Sequence, residues 1–374
     1  MNKIKIVHIV ECAGGVDKYL RMLLFNLTPD LYDNVLICSH DYKREYYSGL
    51  VSGMFYTDMH NSLSLMNSII SIRQVRTLIK NIKPNIIYCH SSIAGGIGRI
   101  ANIGIGIPVI YNPHGWAFNM PNGLKPKIYS LIERLLSKRT NIIVAISEFE
   151  KENALKKGIT KRNKLQVIVS GIDLDKTDCL SNDPLITRSS LGIPRDAFVI
   201  GMTARICETK APDIFIKSAA IIRKKIHNSF FVLIGDGDLR DTIENQIKEY
   251  NIENCVLITG WVDNPLPYVR LLDIGTLLSR WEGFGFALAE YMKLNIPIVA
   301  TNVCAIPYAI KDGFNGILVE VDNERAVADA IIDLYENPIK RKKLTENGQA
   351  YVNQNFDIKR TAKEHELLFQ SLLK

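Results

Sequence analysis

No apolar run in this chain of 374 residues approaches the ~18 residues that a membrane-spanning helix needs. Internal repeats and low-complexity tracts are also missing, which excludes solenoid and disordered architectures. The first apolar run, residues 4–10, is short, carries Lys5 and is followed at once by Ala13-Gly14-Gly15, so it does not read as a secretory signal. The seven cysteines (Cys12, Cys38, Cys89, Cys179, Cys207, Cys255, Cys304) are odd in number and lack the paired spacing of a zinc site or a disulfide framework. The expectation is a reducing, cytoplasmic setting with no bound metal. A dinucleotide fingerprint is missing too: Gly14-Gly15 lacks the Gly-x-Gly-x-x-Gly spacing, and neither Gly96-Ile97-Gly98 nor Gly104-Ile105-Gly106 follows a strand directly. The basic residues are not interleaved with stacking aromatics, which argues against nucleic acid.

What is present is ordinary globular material, 47% apolar and 23% charged, long enough for two domains. The net charge of +7 is uneven: residues 1–180 hold 23 Lys and Arg against 14 Asp and Glu, residues 181–374 hold 23 against 25. A basic first half points to an anionic partner or surface. Strands are expected near 4–10, 34–40, 85–90, 108–112 and 141–147, alternating with helices. A turn-rich linker over 165–194 includes Asn182-Asp183-Pro184, and a second series of strands runs near 198–203, 230–235, 255–259, 274–279, 296–300 and 316–320. Such alternation implies parallel sheets covered on both faces, with ligands at the carboxyl ends of the strands.

Residues 278–290, Leu-Ser-Arg-Trp-Glu-Gly-Phe-Gly-Phe-Ala-Leu-Ala-Glu, concentrate the chemistry. A buried strand runs into a glycine loop, Gly283-Phe284-Gly285, and then into a helix, whose N-terminal amides suit a phosphate. Glu282 stands before that helix and Glu290 about one turn into it, at most about 12 Å apart at 1.5 Å per residue. Carboxylates accept hydrogen bonds from hydroxyls, so the pair fits a diphosphate flanked by a sugar and a ribose. Arg205 and Lys210, five positions apart after the strand near 198–203, can clamp a diphosphate, one as a two-pronged donor and one as a point charge. In Gly235-Asp236-Gly237-Asp238 the aspartates are expected to cap the helix that follows rather than hold a metal. Asp17 falls in the first turn of a helix opening at Gly14-Gly15. Lys125, Lys127, Arg134, Lys138 and Arg139 surround Ile128, Leu131, Leu135 and Leu136. That pattern fits either a helix resting on an anionic membrane surface or one packed on the core.

The segment Glu282 to Glu290 resembles the Glu, seven residues, Glu motif of retaining family 4 glycosyltransferases of the GT-B fold, and the runs 297–302 and 312–319 are similar to that family as well. The resemblance covers most of the chain and is strongest from Val199 to Val321. It implies two Rossmann-like parallel-sheet domains facing across a cleft: an acceptor-side domain over 1–180, a nucleotide-sugar domain over 181–355, and a last helix within 356–374 crossing back to the first. It implies that Gly14-Gly15 approach the donor phosphate or the acceptor. It also implies that His114, in Asn112-Pro113-His114-Gly115-Trp116, contacts the donor sugar, that Arg205 and Lys210 neutralise the leaving nucleotide, that Gly235 lines the nucleotide side and that Gly260-Trp261-Val262 receive the base. His8 and His90 read as core or edge residues. Departures from the family are Ala211 and Cys304-Ala305 in place of glycines and Tyr308 in place of a glutamate.

The implied activity is that of a hexosyl- or N-acetylhexosaminyl-transferase. It would carry a sugar from a nucleoside diphosphate sugar, UDP-linked ahead of GDP-linked, to a hydroxyl of a glycan or lipid-linked saccharide in surface polysaccharide synthesis. The implied reaction is retaining and metal-independent, with no cofactor beyond the nucleotide sugar as substrate. A nucleotide-sugar epimerase of GT-B fold and a non-catalytic nucleotide-sugar-binding protein are the alternatives.

Overall fold

In the computed structural model the chain divides into two compact units, residues 1–172 with 358–374, and residues 173–357. The structure describes residues 3–11, 13–59, 65–119, 125–175 and 186–373; Cys12, Asn182-Asp183-Pro184 and the side chain of Lys125 lie outside the described residues.

The first unit is built on a parallel sheet of β1 (Ile4–Val10), β2 (Tyr32–Cys38), β3 (Gly53–Tyr56), β4 (Ile86–His90), β5 (Val109–Asn112), β6 (Ile142–Ala145) and β7 (Leu165–Val167), in the order β3-β2-β1-β4-β5-β6-β7. Helices α1 (Gly15–Asn26), α2 (Leu65–Ile82), α3 (Ser92–Ala101), α4 (Lys125–Ser137) and α5 (Glu148–Lys156) connect the strands. The sequence pattern marks only five of the seven strands. The two it misses are short edge strands, and Leu165–Val167 belongs to this sheet rather than to the linker. Three residues are too few to show a period, and edge strands are kept short to limit edge pairing.

The two faces of this sheet differ in kind. Val7, Ile9, Val35, Ile37, Ile87, Cys89, Val109 and Tyr111 form an apolar core with Val75, Ile79, Ala94 and Ile97 from α2 and α3. On the other face the register sets His8 beside Tyr88 and His90 beside Asn112. That face meets Tyr19 of α1 and the helix Ile358–Ser371, whose His365 Nε2 lies 3.1 Å from Tyr19 Oη and 2.9 Å from Tyr88 Oη. Glu366 of the same helix accepts from the Thr28 backbone and hydroxyl at 2.8 and 2.7 Å.

Helix α4 is inverted relative to an ordinary surface helix. Glu133 points inward, pairing with the fully buried Arg99 at 2.9 Å and accepting from Tyr111 Oη at 2.7 Å, while the Arg99 guanidinium lies 3.8 Å over the Tyr111 ring. Ile128, Leu131, Ile132 and Leu135 point outward, 54%, 55%, 42% and 55% exposed. Of the stripe read from the sequence, Ile128, Leu131 and Leu135 are exposed and Leu136 is half-buried, while Tyr129 of the same helix packs against the core.

The second unit carries a parallel sheet of β8 (Phe198–Thr203), β9 (Ser229–Ile234), β10 (Val256–Ile258), β11 (Ile274–Leu277), β12 (Ile298–Thr301) and β13 (Ile317–Val319), in the order β10-β9-β8-β11-β12-β13. Strands such as Ser-Phe-Phe-Val-Leu-Ile are buried throughout because helices cover both faces. In each unit the strand order reverses once, between β1 and β4 and between β8 and β11, and the carboxyl ends at such a reversal open a crevice for ligands.

Replacing Glu133 by Ala leaves the buried Arg99 charge without its partner and should destabilise the protein by about 3–5 kcal/mol in urea unfolding. Glu133→Gln, which keeps an acceptor for Tyr111 and Arg99, should lose clearly less.

Candidate functional site

At the reversal point of the second sheet, the loops after β8 and β11 meet. A turn, Glu208–Lys210, follows β8, and Lys210 Nζ pairs with Glu282 Oε2 from the loop after β11. Glu282 also accepts from Ser279 Oγ at 3.1 Å and from the Gly283 amide at 3.2 Å, and is only 8% exposed. These three donors hold its carboxylate in one orientation. Ala211, where the family carries glycine, ends the turn in the left-handed region at φ 52°, which explains why glycine suits the position. Cys304, another of the departures, also lies in the left-handed region, at φ 50°.

Arg280 fastens these loops together. Its guanidinium forks onto both oxygens of Asp213 at 3.0 and 2.9 Å, reaches Asp322 at 2.7 Å and donates to the Glu208 carbonyl at 2.7 Å, while its own amide donates to the Thr209 carbonyl at 2.9 Å. Sequence reasoning passed over this residue. Its partners lie 67 and 42 positions away, so no local pattern announces them.

Beside this pair, the loop carrying Arg205 lies against the turn after β9. Ile206 donates to the Asp236 carbonyl at 2.9 Å, and a Cβ at Gly235 (φ 145°) would sit 2.1 Å from the Ala204 carbonyl oxygen, so the close approach requires glycine. Arg205 reaches Asp238 at 3.5 Å and Arg240 reaches Asp236 at 3.3 Å. Neither aspartate caps the helix Arg240–Glu249, whose N-cap is Leu239 without a side-chain bond; Asp236 accepts from the Gly237 amide at 2.8 Å, and both carboxylates pair with arginines. Gly260 bridges to Gly235, and Trp261 beyond it is 66% exposed, with Val262 half-buried.

Within the motif, Gly285 caps the helix Phe286–Lys293. The Gly283 amide is turned back onto Glu282, so it is not among the free donors the sequence pattern led us to expect. Phe284 is buried against the rings of Phe286 and Phe356, and Glu290 is buried inside the helix. The second unit therefore brings Lys210 to Glu282, and the Arg205 backbone to Gly235, which bridges to Gly260, through the ends of β8, β9, β10 and β11.

At the corresponding end of the first sheet, Gly14 caps α1 and Gly15 opens it. Asp17 stands in the first turn of α1, as expected, and is bonded to Arg21 at 2.8 Å and to Tyr47 Oη at 2.8 Å. Glu11, unremarked in the sequence, is 5% exposed and accepts from Ser91 Oγ at 2.7 Å; burial raises its pKa. His114 sits in the left-handed region at φ 52°, its amide held 2.9 Å from Asn112 Oδ1. Its Nε2 lies 3.0 Å from His90 Nδ1, and His90 Nε2 lies 3.2 Å from His8 Nδ1. The two histidines read as core or edge residues are thus bonded in line with the one singled out. Burial pushes His8 and His365 down to about 4, His114 to about 3, and His90 well below its ordinary value. All four rings are neutral at pH 7.

Comparison with known proteins adds the following. Residues 185–351 match the model of glycosyl transferases group 1, and residues 13–176 that of glycosyltransferase family 4. An Escherichia coli UDP-Gal:alpha-D-GlcNAc-diphosphoundecaprenol alpha-1,3-galactosyltransferase is 28% identical over 90% of this chain and 89% of its own. An uncharacterised 41.2 kDa protein in the cps region of Klebsiella pneumoniae is 31% identical over 87% of this chain and 88% of its own. The structure of Anabaena HepE in complex with UDP superposes with a TM-score of 0.80 at 19% identity, over 98% of this chain and 100% of that one, and shows the GT-B fold.

The depressed histidines set an acid limit on stability. Their folded pKa values lie below the unfolded value of 6.5, so they leave stability untouched above pH 6.5; below it the unfolded chain takes up protons that the folded one refuses. Stability should fall from pH 6.5 towards 4, by up to about 1.4 kcal/mol per pH unit for each histidine. Thermal unfolding at pH 7, 6 and 5 should show a falling Tm already between pH 6.5 and 5, above the range where ordinary carboxylates titrate.

Proposed function

The chain belongs to the group 1 and family 4 glycosyltransferases, and we propose that it moves a sugar from a UDP-sugar to a hydroxyl of a glycan or lipid-linked saccharide during surface polysaccharide synthesis. The anomeric configuration is retained, and neither metal nor cofactor is used. The observation that carries this reading is the Lys210–Glu282 pair, oriented by Ser279 and the Gly283 amide at the reversal point of the second sheet. A buried, fixed carboxylate is suited to accept hydrogen bonds from sugar hydroxyls, and the cation beside it is suited to a phosphate. Support for the donor and acceptor classes comes from the relative named for UDP-Gal and a diphosphoundecaprenol acceptor, and from HepE, solved with UDP.

In this mechanism Arg205 and Lys210 stabilise the charge that grows on the diphosphate as the glycosidic bond breaks, each such preorganised contact contributing a few kcal/mol. Glu282 holds the sugar through its hydroxyls, and His114 adds a further hydrogen bond. Gly235 and Gly260 let backbone approach the nucleotide, and exposed Trp261 lies near its base. Glu290 bonds ribose or sugar hydroxyls. The departing phosphate takes the acceptor proton on the same face, as the family resemblance implies.

We place the enzyme in the cytoplasm, on the inner face of the membrane. Among the described residues no helix is long and apolar enough to cross a bilayer. The outward stripe Ile128, Leu131, Ile132 and Leu135 on α4, with exposed Lys127, Lys138 and Arg139 beside it, fits a helix lying in an anionic interface.

Incubation with UDP-, GDP- and ADP-sugars and saccharide acceptors should release nucleotide and form product with a UDP-sugar. In Glu282→Ala, transfer should fall by roughly a thousandfold, a loss of about 4 kcal/mol, while UDP binding by calorimetry stays within a few-fold. Full activity in that variant would remove the sugar-holding role, and conversion of the nucleotide sugar without an acceptor product would identify an epimerase. Vesicles containing anionic lipid should carry the protein upward in flotation, and Leu131→Asp with Leu135→Asp should cut the bound fraction roughly tenfold.

A further inference from the structure

A line of hydrogen bonds runs from β2 to the loop after β5: Asn34 Oδ1 to His8 Nε2 at 3.2 Å, His8 Nδ1 to His90 Nε2 at 3.2 Å, and His90 Nδ1 to His114 Nε2 at 3.0 Å. His8 and His90 are completely buried, Asn34 nearly so, and the rings stack, with 5.5 Å between the centroids of His8 and His90 and 5.3 Å between those of His90 and His114. Chemistry at one end sets the direction of the whole line. Asn34 Oδ1 can only accept, so His8 Nε2 carries the hydrogen. A neutral imidazole carries one hydrogen, so His8 Nδ1 accepts and His90 Nε2 donates. By the same step His90 Nδ1 accepts and His114 Nε2 donates. His114 Nδ1 is then left as a bare lone pair, and among the described residues it has no hydrogen-bond partner.

We propose that His90, His8 and Asn34 are positioning residues that lock His114 in the tautomer with Nδ1 unprotonated, so that it accepts a hydrogen bond from a donor-sugar hydroxyl. The proposal rests on the reading of His114 as a sugar contact. It adds a specificity rule: the group of the sugar that meets His114 must itself be a donor. A neutral hydroxyl qualifies. A carboxylate there, as in a uronic acid, would set two acceptors against each other, and a site built to pair one hydrogen-bonding group rejects its mismatch strongly.

The test begins with long-range proton–nitrogen NMR of the histidine rings in the full-length protein at pH 7. The expected result is a protonated Nε2 and an unprotonated Nδ1 at His114; the opposite tautomer overturns the proposal without any assay of activity. His90→Phe keeps a ring against Tyr88 but deletes the acceptor. It should give mixed tautomers at His114 and lower kcat/KM for the donor about tenfold, the usual scale for losing a group that orients a histidine. His90→Asn, whose Oδ1 falls near the place of Nδ1, should restore both. An unchanged tautomer and unchanged kinetics in His90→Phe overturn the relay while sugar transfer stands. Full transfer in His114→Ala instead overturns the proposal through the sugar contact it rests on, and the two failures are told apart by the NMR signature.

Discussion

A parallel strand with helices on both faces has no room for polar chemistry along its length, and only its ends remain. The charged groups gathered around Glu282 in the second unit obey that constraint. β8 and β11 are buried throughout their centres, and the first charged side chains beyond them, Arg205, Lys210, Arg280 and Glu282, lie in the loops at their carboxyl ends. Because the strand order reverses there, helices leave toward opposite faces and the loops diverge, so charges can gather without being sealed into a core. Arg280 then supplies order. One guanidinium ties two carboxylates and the Glu208 carbonyl together, and the orientation of Glu282 depends on the loop that it holds.

The first sheet departs from the constraint on one face, and the departure has a structural use. His8, Tyr88, His90 and Asn112 sit where a doubly wound sheet ordinarily buries aliphatic side chains. A buried polar group without a partner costs several kcal/mol, so this face can be covered only by elements that bring matching groups. Tyr19 and the helix Ile358–Ser371, with His365, do so. The hydrogen bonds add little net stability each, but they select one helix in one register, which an aliphatic face would not.

Helix α4 shows the same logic with the signs exchanged. Its one inward charge pairs with buried Arg99, while Ile128, Leu131, Ile132 and Leu135 are turned out to the surface. Hydrophobic periodicity reports that a helix has an apolar stripe; it does not say on which side of the helix the core lies.

The sequence by itself determined the two doubly wound sheets, because buried parallel strands leave continuous apolar runs punctuated by turn residues. It also determined the family, through a glycine loop between two glutamates. It marked Lys210 and Glu282 separately but not as a pair, and it left His8, His90 and Arg280 without a role. It missed β3 and β7, which are too short for a period, and it placed the aspartates after β9 at a helix cap they do not occupy. Those matters were decided only by the tertiary structure. The histidine line joins residues 26, 82 and 24 positions apart, and such contacts depend on strand order and register, which no local window of sequence contains.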